Sequence, residues 1–64
     1  MNILNIQTAA NATKTVNVYD ILAKQVINVT TNNSTINVDN LNAGIYIVKV
    51  TEEGKTATRK LIVR

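Results

Sequence analysis

The chain has 64 residues, a formal net charge of +3 and a sequence pI near 9.6, with no cysteine, histidine or proline. That length makes one small domain burying about 60% of its unfolded surface, and the missing residue types exclude a disulfide, a thiolate metal site and histidine acid–base chemistry. Ile, Val and Thr together supply 25 of the 64 residues, which favours sheet over helix, so the core must come from strand packing alone.

Ile3, Leu4 and Ile6 form a short first strand, and the small polar residues from Thr8 to Thr13 form a connection. Val16 and Val18 alternate with Asn17 and Tyr19 in a second strand. Asp20 to Lys24 reads as a turn, with Ile21 and Leu22 expected to cap one open end of the core. Val26, Ile27 and Val29 mark a third strand. Asn32-Asn33-Ser34 is a turn signal because asparagine tolerates positive φ. Ile36 and Val38 form a fourth strand leading to Leu41.

The stretch from Asp39 to Thr51 passes from a turn into the longest apolar strand of the chain. Side chains alternate along a strand, so Tyr46, Val48 and Val50 face inward. Ile45, Ile47, Lys49 and Thr51 face the other way, the two isoleucines requiring partial cover from a neighbour. Leu41, Gly44 and Tyr46 give an L-x-x-G-x-Y spacing. It matches the tyrosine corner of immunoglobulin-like sandwiches, where the phenol bonds back to upstream backbone. Gly44 would then supply a turn conformation open to few other residues. The alternative is an ordinary turn before a core strand, with Tyr46 present for bulk. Glu52 to Lys55 closes a hairpin, and Thr56 to Val63 returns as the last strand, with Leu61 and Val63 on one face and Lys60 and Ile62 on the other. Short strands with turn signals every eight to twelve residues define an all-β fold. The expected architecture is a small antiparallel immunoglobulin-like β-sandwich of six to seven short strands, filling residues 1–64 as a single domain.

No catalytic constellation is present. Asp20, Asp39, Glu52 and Glu53 are the only acids, and adjacent Glu52 and Glu53 make a poor acid–base pair. So small a chain can hardly enclose a substrate cleft, so no enzyme activity and no cofactor or metal are expected. Nucleic-acid binding would need clustered Lys or Arg with exposed aromatics, and only Tyr19 and Tyr46 are aromatic. No apolar run approaches the roughly 20 residues of a membrane span, so membrane insertion is not expected, and no signal peptide is visible. Asn-x-Ser/Thr motifs at Asn11, Asn28, Asn32 and Asn33 are weak signals in a chain holding ten Asn and nine Thr.

Three segments together carry a family resemblance: NVYDILAKQV (Asn17 to Val26), INVDNLNAGIYIVKV (Ile36 to Val50) and TRKLIVR (Thr58 to Arg64). In this order, over nearly the whole chain, they resemble the type A C-terminal sorting domain of type IX secretion system cargo proteins in Bacteroidetes. Members carry a hairpin like V-x-V-Y-D-x-L-G-K-x-V, a segment like N-L-x-x-G-I-Y-I-V-K-V, and a final short basic-apolar strand. Here these fall on Val16 to Val26, Asn40 to Val50, and Lys60 to Arg64. There are two departures. Ala23 stands where the family usually has glycine, a cost of about 1 kcal/mol if that position needs positive φ. A Tyr-Pro-Asn-Pro-like opening segment is absent, and Asn2 to Ile6 looks like the strand that follows it. Met1 is therefore expected to begin an excised domain. The missing piece would leave a sheet edge unpaired, inviting a homodimer or strand swapping.

The resemblance implies a non-catalytic secretion signal at the C-terminus of a larger protein, which travels through the periplasm and outer membrane to the cell surface or medium. Its implied partners are the outer-membrane translocon, its shuttle component and a sortase-like peptidase. Lys49, Lys60 and Arg64 match basic positions of the family pattern and Arg59 lies beside them, so these four are candidates for partner recognition. The competing account of them is a solvated strand edge on which lysine blocks aggregation. Leu41, Gly44 and Tyr46 are expected to be architectural. The rival function is a fibronectin-type-III-like adhesion or carbohydrate-binding module, for which only Tyr19 offers an exposed aromatic.

Overall fold

Six strands account for the regular structure of the computed structural model, which describes residues 3–8 and 12–64. They are β1 (Ile3–Asn5), β2 (Lys14–Tyr19), β3 (Gln25–Thr31), β4 (Thr35–Asn37), β5 (Gly44–Glu52) and β6 (Lys55–Val63). There is no helix among the described residues. A four-stranded sheet in the order β3-β2-β5-β6 faces a two-stranded sheet of β1 and β4, and every pairing is antiparallel. The expected all-β antiparallel sandwich is the one that forms.

Strand alternation builds the core. In β2 and β5 the register sets Val16 opposite Val50 and Val18 opposite Val48, so four β-branched side chains project from one face of the large sheet. Tyr46 and Val63 join them, and Ile6 and Val38 close over them from the β1–β4 side. The inward assignment of Tyr46, Val48 and Val50 holds, and all three are buried. Leu4 and Ile36, paired across the small sheet, pack against this cluster, as do Ile27, Val29, Leu41 and Leu61. Ile6 lies just past the end of β1, where its N–H donates to the Ser34 carbonyl at 2.8 Å and ties the β1 segment to the β3–β4 turn.

Several expectations are corrected. Ile21 and Leu22 do not cap the core: they are 78% and 84% exposed. The valines of the large sheet, with Ile6 and Val38 opposite them, already fill the space between the layers, and the turn carries the two side chains outward instead. Ile45 and Ile47 are only partly covered, as expected, and keep 46% and 38% of their surface exposed on the outer face. Gly44 is not in left-handed backbone, since Gly54 is the one glycine with positive φ. Gly44 opens β5 opposite Val63, and the bend lies earlier, where the Leu41 N–H donates to the Val38 carbonyl at 3.0 Å. Neither Asn32 nor Asn33 has positive φ. That turn is closed by the Thr31 hydroxyl, which accepts the Asn33 N–H at 3.0 Å. Residues 9–11 of the polar connection, the Asn11 motif, and Met1 and Asn2 lie outside the described residues.

Candidate recognition surface

The tyrosine corner forms. The Tyr46 hydroxyl donates to the Asn42 carbonyl at 2.7 Å, so a buried ring on β5 holds the incoming loop against the sandwich. Upstream, the Asn37 carboxamide oxygen accepts the Asp39 N–H at 2.7 Å and fixes the exit from β4.

The β2–β3 turn is held by one aspartate. Asp20 Oδ1 accepts the N–H groups of Leu22 and Lys24, each at 2.9 Å, while the Asp20 carbonyl accepts the Ala23 N–H at 2.9 Å. The Asp20 N–H in turn donates to the Lys24 carbonyl at 2.9 Å. This closure requires Ala23 at φ 64°, the left-handed region expected from the glycine of the family pattern. The β5–β6 hairpin needs the same region twice, at Glu53 (φ 53°) and Gly54 (φ 79°). Positive φ at both central residues of a two-residue loop matches the twist of the flanking strands.

The four basic candidates do not form one surface. Lys49 stands opposite Thr58 and Lys60 opposite Ile47, which puts both lysines on the outer face of the large sheet. Arg59 stands opposite buried Val48, so it shares the inner face of the sheet, where it lines an open cleft with Ile6, Val50 and Ala57. Arg64 lies exposed just beyond β6. Lys49 Nζ lies 5.5 Å from the centre of the half-buried Tyr19 ring, a cation–π contact that orients the lysine along the sheet. At the corner Tyr46 makes its bond and Leu41 packs on the core, while Gly44 opens β5 in ordinary backbone.

Sequence reasoning missed Lys14, which is fully buried at the start of β2. Its ammonium lies 4.0 Å from Glu52 Oε2 and 3.4 Å from the Asn33 carbonyl. The same carboxylate oxygen accepts the Thr8 hydroxyl at 2.7 Å and the Ala12 N–H at 2.9 Å. Glu52 therefore fastens the segment before β2 to the end of β5. The alternation of β2, which places Lys14 on the face of Val16 and Val18, was the available signal.

Among the described residues no group of three or more Asp, Glu, His or Cys is placed to hold a metal ion, and no helix is long and apolar enough to cross a membrane. The chain is a small antiparallel β-sandwich with exposed side chains on the outer face of its large sheet. The family described as secretion system C-terminal sorting domain matches residues 1–64, and the chain belongs to that family, which serves type IX secretion. Such domains mark proteins exported to the cell surface or secreted through the outer membrane. Comparison with curated proteins gives no match.

Proposed function

We propose that this domain is a non-catalytic address, carried at the C-terminus of a larger cargo protein and read by the outer-membrane translocon of the type IX system and its shuttle component. A sortase-like peptidase then removes it. The observation that carries this reading is the family match over residues 1–64. The arrangement of the chain supports it. Its polar clusters, Asp20 with its turn amides and Glu52 with Thr8, Ala12 and Lys14, are spent on holding the backbone. Lys49 and Lys60, on one outer face, are the basic candidates best placed to meet a single partner.

The test joins the domain to a periplasm-directed reporter in a host that has the type IX system. Reporter is expected in the medium or on the cell surface with the domain present, and in the periplasm without it. Retention in the periplasm with the domain folded would contradict the proposal. Removing Lys60 to Arg64 is expected to abolish export, because residues 60–63 pair with Gly44 to Ile47 and hold the end of β5 that carries Tyr46.

A further inference from the structure

At the end of the large sheet nearest the β2–β3 turn, the outer face is apolar and uncovered. Tyr19 stands opposite Ile47, and Ile47 opposite Lys60. The adjoining row toward the turn pairs Ile45 with Ile62. Ile47 and Ile62 are 38% and 52% exposed, and Ile21 and Leu22 stand out further still. Tyr19, Ile21 and Ile47 line one shallow depression with Lys49, so the tip of the turn and the sheet face are a single surface.

Scattered exposed isoleucines are ordinary, but a contiguous apolar patch on a chain this small marks a contact site. The turn is built to keep it exposed. The Asp20 carboxylate fixes the amides on both sides of Ala23, and Ala23 stays in left-handed backbone, so Ile21 and Leu22 are held outward. Charge selects the occupant. Lys49 and Lys60 edge the patch on the same face, and the nearest acid, Asp20, is engaged by its own turn. Two copies stacked face to face would set these lysines against their own counterparts, which disfavours self-association here.

We infer that the Ile21–Leu22 tip and the adjoining outer face are where the domain is read, and that they dock on a secretion-machinery protein surface with an apolar recess edged by carboxylates. The inference rests on the sorting function proposed above.

The same reporter fusion tests it with four variants: Ile21→Ser with Leu22→Ser, Ile62→Ser alone, Lys49→Glu with Lys60→Glu, and, as a control at the β5–β6 hairpin, Lys55→Ser. Thermal melting of each purified domain is measured alongside. The exported fraction is expected to fall about tenfold for the turn pair and for the charge reversal, and about threefold for Ile62→Ser. Lys55→Ser is expected to export like the unaltered domain. Export of folded Ile21→Ser/Leu22→Ser domain at the unaltered level overturns the inference while leaving the sorting function in place. Should that pair fail to fold, Ile62→Ser on a separate strand decides in the same way. An unaltered fusion that stays in the periplasm contradicts the sorting function itself, and the inference with it.

Discussion

The Asp20 carbonyl accepts the Ala23 N–H at 2.9 Å with Ala23 held at φ 64°. In that region the Cβ of an L-residue crowds the carbonyl oxygen that follows it, at a cost of about 1 kcal/mol, which glycine avoids. Ala23→Gly removes the clash, offset in part by the added freedom of the unfolded chain. The melting temperature of Ala23→Gly is expected to rise by roughly 2–6 °C, given that about 1 kcal/mol moves a domain of this size by 4–8 °C. Calorimetry checks this, and an unchanged or lower value would mean that the turn has another backbone in solution.

The Tyr46 hydroxyl donates one hydrogen bond, to the Asn42 carbonyl. Tyr46→Phe keeps the buried ring and removes only that bond. Asn42 is exposed, so water can replace the lost partner, and the expected loss is about 1 kcal/mol. Urea unfolding should show a lower midpoint with an unchanged slope. No loss of stability would reduce Tyr46 to its bulk.

Glu52 and Lys14 should respond unequally to removal. Glu52→Ala leaves the buried Lys14 ammonium without its carboxylate and the Thr8 hydroxyl and Ala12 N–H without theirs. Breaking a buried pair from one side costs about 3 kcal/mol, a large share of the stability of a small domain. Lys14→Met keeps the apolar stem and leaves Glu52 with two hydrogen-bond donors, so its cost is expected to be less than half as large. Equal losses in denaturant unfolding would show that the two act only through each other.

Gly44 gives a prediction of the opposite kind. It has no positive φ, and a Cβ placed on it would meet the Tyr46 ring at 3.9 Å, an ordinary contact. Glycine within a strand costs about 0.5–1 kcal/mol relative to alanine, so Gly44→Ala is expected to melt at the same temperature or slightly higher. A drop of several degrees would mean that the start of β5 needs the space.

How much of this was legible in the sequence follows from the range of the forces involved. Tyr46, Val48 and Val50 declared their inward face through simple alternation, and Leu41, Gly44 and Tyr46 declared the corner through spacing. Ala23 was detectable as a left-handed position only because the family pattern has glycine there. The inward face of Lys14 was legible from the alternation of β2, whereas its partner was not, since Glu52 lies at the far end of β5. Ile21 and Leu22 were misplaced because apolar side chains are assumed to seek the core. The core is closed by Val38 and Ile6 without them, and the surplus stands in water. Arg59 and Lys60 were grouped by adjacency along the chain, although a period of two sends neighbours to opposite faces.

The central claim is that the folded sandwich, rather than a linear stretch of sequence, is what the export machinery reads. Val18, fully buried between the layers, offers the most direct test, because an aspartate there leaves an uncompensated charge in the core and unfolds the domain. The measurement is the fraction of a periplasm-directed reporter that reaches the medium when fused to the Val18→Asp domain, with the β-sheet circular dichroism of the purified domain recorded alongside. Export is expected to fall to the level of reporter lacking the domain. Undiminished export of a fusion whose sheet signal has been lost would contradict the claim.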